Sequence, residues 1–134
     1  MPIFVLLDSN FFMLPIMFKI DIFKEIEDLI SRETIFVTVP PVLNELRRLS
    51  EKPTKLGRKA LLALYLASKC EILETDMENL PKGRVDDFIL EFSKRKKFIV
   101  ATTDINLKKR LREMNVPVIY LRGRSHIELD GFID

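Results

Sequence analysis

The chain reads as an α/β protein built on a parallel sheet, and three observations carry that reading. Strand-like and helix-like segments alternate along most of its length. Two short apolar runs, Phe4-Val5-Leu6-Leu7 and Phe98-Ile99-Val100-Ala101, lack the polar alternation of a half-exposed strand, as strands buried on both faces do. The segments between the strands repeat apolar residues at helical spacing, and a parallel crossover needs a helix-sized connection. A central parallel sheet covered by helices on both faces follows, with at most five of each element. No repeat, low-complexity tract or linker divides residues 1–134, so one domain is expected.

The first apolar run stops abruptly at Asp8, and a buried parallel strand delivers its last residue to the carboxyl edge of the sheet, where open α/β folds place their ligands. Asp8 also suits a plain turn or helix cap. Asn10-Phe11-Phe12-Met13-Leu14-Pro15 is too apolar for a free loop. Ile22, Phe23, Ile26, Leu29 and Ile30 mark an amphipathic helix from Asp21 to near Arg32. Thr34-Ile35-Phe36-Val37-Thr38-Val39 is a second strand, ended by two prolines. Pro40 and Pro41 suit a first helical turn, and Val42, Leu43, Leu46 and Leu49 form the stripe of the helix that follows.

Residues 51–58 read as a loop, and residues 59–69 as a helix whose leucines leave little polar face, so it should be mostly covered. Glu71-Ile72-Leu73 is a short third strand, and residues 76–83 an irregular connection. A helix from about Val85 leads into the second buried run, then Asp104. Ile105, Leu107, Leu111 and Met114 mark another helix, and Val116-Pro117-Val118-Ile119-Tyr120-Leu121 a last strand. The tail from Arg122 to Asp134 shows no assignable pattern.

A chain of 134 residues can bury a core without disulfides or a structural metal. Its one cysteine, Cys70, cannot form an internal disulfide, and no secretory pattern opens the chain, so a cytoplasmic location is expected. The apolar stretches are too short to span a membrane. Net charge is +2, from 22 Lys and Arg against 20 Asp and Glu, which disfavours a uniformly basic nucleic-acid coat and leaves room for a local basic face.

Four acids stand out. Asp8 and Asp104 each follow a buried strand, which puts both at one edge of a parallel sheet. Glu45 sits on or beside the apolar stripe of its helix, where an unpaired Glu is unusual, although it can also reach solvent at the stripe's margin. Asp86 shares a side with Ile89, Leu90 and Ser93 and faces inward; Asp87 faces outward. Gathered carboxylates raise one another's pKa unless a cation neutralises them. An all-oxygen set suits Mg²⁺ or Mn²⁺, and such an ion commonly serves phosphate chemistry. The only histidine, His126, lies in the tail. Lys94, Arg95, Lys96, Lys97, Lys108, Lys109, Arg110 and Arg112 fall in a stretch whose only acid is Asp104, and either form solvated helix faces or a track for a phosphate backbone.

Leu7-Asp8-Ser9-Asn10, Leu43-Asn44-Glu45-Leu46, Asp86-Asp87-Phe88-Ile89 and Ala101-Thr102-Thr103-Asp104 resemble, in order and spacing, the four acidic motifs of PIN-domain nucleases. The paired Asp86-Asp87 and the run from Asp104 to Arg110 look closest to archaeal relatives of the small-subunit-processome PIN endonuclease that processes rRNA. The resemblance implies a strand order of 3-2-1-4-5 and Mg²⁺- or Mn²⁺-dependent cleavage of single-stranded RNA, such as an rRNA precursor, with one or two ions. It makes Asp8, Glu45, Asp86 and Asp104 the catalytic, metal-binding acids, Asn10 and Thr103 polar residues that orient them, and Asp87 a neighbour outside the cluster. There is no zinc-ribbon cysteine cluster, and Asn106 stands where many relatives carry a further acid.

Other readings compete. A toxin of a toxin–antitoxin pair shares the chemistry, and a catalytically silent RNA-binding assembly module shares the fold. A phosphotransferase using Asp8 as nucleophile is disfavoured, because Asn10 stands where a haloacid-dehalogenase pattern needs a second aspartate and a receiver domain's acid pair is missing. The apolar residues 11–18, expected to be exposed, offer a homodimer surface.

Overall fold

A computed structural model describes residues 2–74 and 85–133. The first buried run is β1 (Ile3–Leu7), and its central place follows from its side chains: Val5, Leu6 and Leu7 are all fully buried. On one side it pairs in parallel with β2 (Thr34–Thr38), Val5 opposite Phe36; on the other with β4 (Ile99–Ala101), Leu7 opposite Ala101. A two-residue β3 (Glu71–Ile72) extends the sheet beyond β2, and β5 (Val118–Arg122) beyond β4, both in parallel. The expected 3-2-1-4-5 order is present and continues into a sixth strand, β6 (His126–Asp130), antiparallel to β5. The tail is therefore patterned: Ile127 and Leu129 alternate with His126, Glu128 and Asp130, and Gly123 turns the hairpin at φ 65°.

Beyond β1 the chain forms a short 3-10 helix (Ser9–Met13) and α1 (Leu14–Phe18). The expected exposed dimer surface is not there. Phe11, Phe12, Met13 and Leu14 are buried in the main core, and Met17 is the large apolar residue of this run left exposed. The aromatic pair has too much apolar area to leave in water when the fold offers a pocket under the sheet edge. α2 (Ile22–Ile30) is capped by Asp21, which accepts from the Lys24 N–H at 3.2 Å, and turns Ile22, Ile26 and Ile30 inward.

α3 (Pro40–Ser50) follows β2 directly and buries Val42, Leu43 and Leu46. α4 (Lys55–Ala67) begins four residues earlier than its apolar run implies, because Thr54 caps it by accepting from Gly57 N–H. Its covered side is also not the leucine side. Gly57, Ala60, Ala63 and Ala67 are buried, while Leu61, Leu62 and Tyr65 are more than half exposed. Small residues at this spacing let α4 approach α3 and the 3-10 helix closely, and the large side chains are left outside. Gly57 is the tightest point: a Cβ there would lie 1.9 Å from the Lys52 carbonyl oxygen.

α5 (Val85–Arg95) is fixed to the sheet by a run of rings, Phe88 stacked on Phe92 at 5.6 Å, Phe92 on Phe98 at 5.3 Å, and Phe98 edge-on to Phe4 at 6.2 Å. α6 (Ile105–Glu113) joins β4 to β5. The irregular connection expected at residues 76–83 lies outside the described residues.

Candidate active site

Asp8 ends β1 and is 2% exposed. Its N–H donates to the Ala101 carbonyl at 2.9 Å, extending the ladder to β4 and aiming the side chain across the carboxyl edge. The carboxylate accepts from Ser9 N–H at 2.8 Å, from Asn10 Nδ2 at 3.1 Å and from the Thr102 hydroxyl at 2.8 Å. It caps the turn, as its position allowed, and it does so within a charged cluster. Burial pushes its pKa up against the Thr102 and Ser9 hydrogen bonds, and the charges of Glu45 and Asp104 push the same way.

Asp104 caps α6, its Oδ1 accepting from Asn106 N–H at 2.9 Å and Leu107 N–H at 3.0 Å. The Thr102 hydroxyl couples the two strand ends, donating to Asp8 and accepting from Asp104 N–H at 3.1 Å. Asn10 braces the same loop, because its Oδ1 accepts from Thr103 N–H at 3.0 Å. Thr103 thus enters through its backbone, and the hydroxyl that reaches Asp8 belongs to Thr102. Glu45, on α3, accepts a hydrogen bond from the Ser9 hydroxyl. Ser9 and Thr102 are additions to the residues expected from sequence. The register carries the signal for Thr102, since Asp8 pairs with the residue just before it.

Asp86 stands in the first turn of α5, near enough to Asp104 for the two carboxyls to interact. Its pKa rises to about 6, first through burial, then through the charges of Asp104, Asp8 and Glu45. The four acids therefore share one electrostatic field. Asp87 points to α6 and pairs with Arg110 at 3.1 Å.

The donor set fits a hard divalent cation in its chemistry: oxygen ligands only, with excess negative charge half-withdrawn from water. Among the described residues no three His, Cys, Asp or Glu side chains close around a point by themselves. An ion here would complete its shell with water or substrate oxygen, as Mg²⁺ commonly does.

The basic residues separate into groups. α5 starts at the acid edge with Asp86 and runs for 11 residues toward the start of β4, about 16 Å, so Lys94, Arg95, Lys96 and Lys97 reach the opposite, amino edge. They do not flank the acids. Lys108 and Arg112 are engaged inside the fold, both with Asp130, at 3.4 and 3.2 Å, and Lys108 also lies 3.8 Å from the Tyr120 ring centroid. Lys109 is exposed, and Arg110 holds Asp87.

The family described as PIN like domain matches residues 5–124. The chain belongs to the PIN-like domain family. It is 32% identical over 127 residues to ribonuclease VapC4 of Methanocaldococcus jannaschii, covering 94% of this chain and 95% of that one. It is 31% identical over 131 residues to the human rRNA-processing protein FCF1 homolog, where the match covers 93% of this chain and 60% of the relative's length. The structure of the PIN domain endonuclease Utp24 superposes with a TM-score of 0.79 at 27% identity, covering 98% of this chain and 93% of that one. This PIN-like domain thus shares its fold and ancestry with nucleases, and carries its acids at the sheet edge described above.

Proposed function

We propose that the chain is a Mg²⁺- or Mn²⁺-dependent endoribonuclease that cleaves single-stranded RNA, acting in rRNA precursor processing, and that residues 1–134 form a single PIN-like domain. One observation carries the chemistry: at the carboxyl edge Asp8, Glu45, Asp86 and Asp104 share one electrostatic field, in which burial first, and then the like charges of the neighbouring acids, raise the proton affinity of Asp8 and bring the pKa of Asp86 to about 6. Such repulsion is costly unless the cluster has a cation to hold. Kinship with the rRNA-processing FCF1 homolog supports the rRNA role, and kinship with the endonuclease Utp24 supports endonucleolytic cleavage.

In this reading the four acids hold the ion, which when bound activates water and stabilises the leaving oxygen of a phosphodiester. The chain's own residues set the geometry. Thr102 fixes the Asp8 carboxylate and ties it to the Asp104 backbone; Ser9 turns Glu45 toward the cluster; Asn10 locks the loop that carries Asp104. Burial of Asp8 keeps bulk water from screening the charges that bind the ion.

A ribonuclease role outside ribosome maturation, as in a toxin–antitoxin pair, is favoured by the VapC4 match, which spans nearly the whole of both chains. Cleavage assays on rRNA-precursor fragments and unrelated single strands, with Mn²⁺ and with EDTA, test both. Cleavage in Mn²⁺ and none in EDTA supports the nuclease; preference for the rRNA fragments supports the processing role, and indifference the second reading. No cleavage under any condition leaves an RNA-binding module and overturns the enzyme.

A further inference from the structure

The cations that stand beside the acid edge are not those of α5 and α6. Between residues 46 and 60 the chain has Arg47, Arg48, Lys52, Lys55, Arg58 and Lys59 against one acid, Glu51. All six are exposed, and among the described residues none makes an ion pair; Arg47 donates to the Asn44 side chain at 3.1 Å. A merely solvated helix surface ordinarily mixes signs. Here a helical hairpin concentrates one sign.

Its placement follows from the fold. Glu45 lies on α3 itself, so Arg48 is its i+3 neighbour on the helix surface. α4 ends just before β3, whose two residues pair with Val37 and Thr38 at the carboxyl end of β2, and its 13 residues extend about 20 Å back from there. Its first turn, with Lys55, Arg58 and Lys59, therefore stands on the carboxyl side of the sheet, beyond the edge that carries the acids. Both α3 and α4 pack against the 3-10 helix that follows Asp8. Gly57 lets the start of α4 lie close against the Lys52 carbonyl and the end of α3, so the cations sit on a closely packed hairpin tip.

We infer that the α3–α4 hairpin is the surface along which single-stranded RNA approaches the acids, its phosphates held by these cations. The inference rests on the nuclease reading and adds the path the substrate takes. Positive charge is also what an acidic edge needs if a polyanion is to come near it. The cations grip the backbone, so binding depends on salt and little on base sequence.

The test measures binding of a labelled single-stranded oligoribonucleotide in EDTA over a salt series, for the full chain, for R48Q/K52Q/K55Q/R58Q and for the control K94Q/K96Q/K97Q. The hairpin variant should bind about tenfold or more weakly at low salt, with its log–log salt slope reduced by about 0.7 for each phosphate no longer neutralised. The control should follow the wild type. Hydrogen exchange on the wild type gives a second reading without any substitution: RNA should protect amides of α3 and α4 rather than the end of α5. Equal affinity and slope for wild type and hairpin variant, or protection confined to α5, overturns the inference even if the wild type cleaves RNA. A wild type that binds through the hairpin and never cleaves in Mn²⁺ upholds the track and overturns the nuclease. Absence of RNA binding by the wild type overturns both.

Discussion

Two charged clusters sit on the same sheet and are built on opposite rules. Around Asp130 the charges match: Lys108 and Arg112 converge on one carboxylate, and Arg122 meets Glu128 at 2.8 Å. Around Asp8 the charges are alike, and hydrogen-bond donors rather than cations hold the carboxylates in place. The first arrangement fastens a hairpin to a helix. The second leaves net charge unneutralised at an edge, which stability alone does not call for and ion binding does.

The sharpest way to break this contrast is to neutralise one acid in each cluster. D8N and D104N should lose more Mn²⁺-dependent cleavage than the roughly 10- to 100-fold that removal of an orienting partner costs. Asn keeps the shape at both sites and caps helices well, so metal-free melting temperature should hold or rise. Mn²⁺ should raise the melting temperature of wild type more than that of either variant, since a ligand binding only the folded state stabilises it. Equal metal shifts in all three proteins, with both variants melting well below wild type in EDTA, would make these carboxylates structural caps.

T102V comes next in size. It leaves Asp8 without one buried donor and Asp104 N–H without its acceptor, a destabilisation of about 1–3 kcal/mol. Activity at saturating metal should fall about 10- to 100-fold. Wild-type activity in a folded T102V protein would remove Thr102 from the orienting role.

The pH dependence of the metal-free protein separates the clusters without large damage. The pKa of Asp86 is about 6 against an ordinary 3.8, so the folded chain holds its proton more tightly than the unfolded chain does. The stability this proton contributes is complete below pH 3.8 and is lost as pH rises through about 6. Melting temperature in EDTA should include that decline, and D86N should flatten it. An unchanged pH profile in D86N would show that Asp86 is not under the charge of its neighbours.

The smallest effect belongs to D130N. Its partners are partly exposed, so the loss should stay within about 1 kcal/mol, shrink further in salt and leave cleavage at the wild-type level. A large loss of activity would mean that the paired cluster takes part in the chemistry.

What can be read from sequence differs between these regions for physical reasons. β1 and β4 are legible because strands buried on both faces carry an unbroken apolar run, and the residue after each run lands on a known edge. β6 escapes notice because its alternation is short and begins with a histidine directly after a polar turn. The covered side of α4 is misread because periodicity weighs large side chains, whereas Gly57, Ala60, Ala63 and Ala67 make the buried seam. Nearness in sequence joins the basic residues 94–97 to the acids, and only topology shows that a crossover helix carries them to the far edge. Thr102 and Thr103 differ by one position in the register, which no spacing rule resolves without the partner strand.

Gly57 has a wider consequence. Two of the acids, Asp8 and Asp104, are anchored by strand ends, but Glu45 is carried on α3, whose far end is seated against α4 where Gly57 meets the Lys52 carbonyl. Any side chain at position 57 has to wedge the hairpin open from a point remote from the sheet. A G57A substitution is therefore expected to disturb Glu45 through α3 more than the strand-borne carboxylates Asp8 and Asp104, a lesion that starts at the hairpin's tip and reaches the acid edge through one helix.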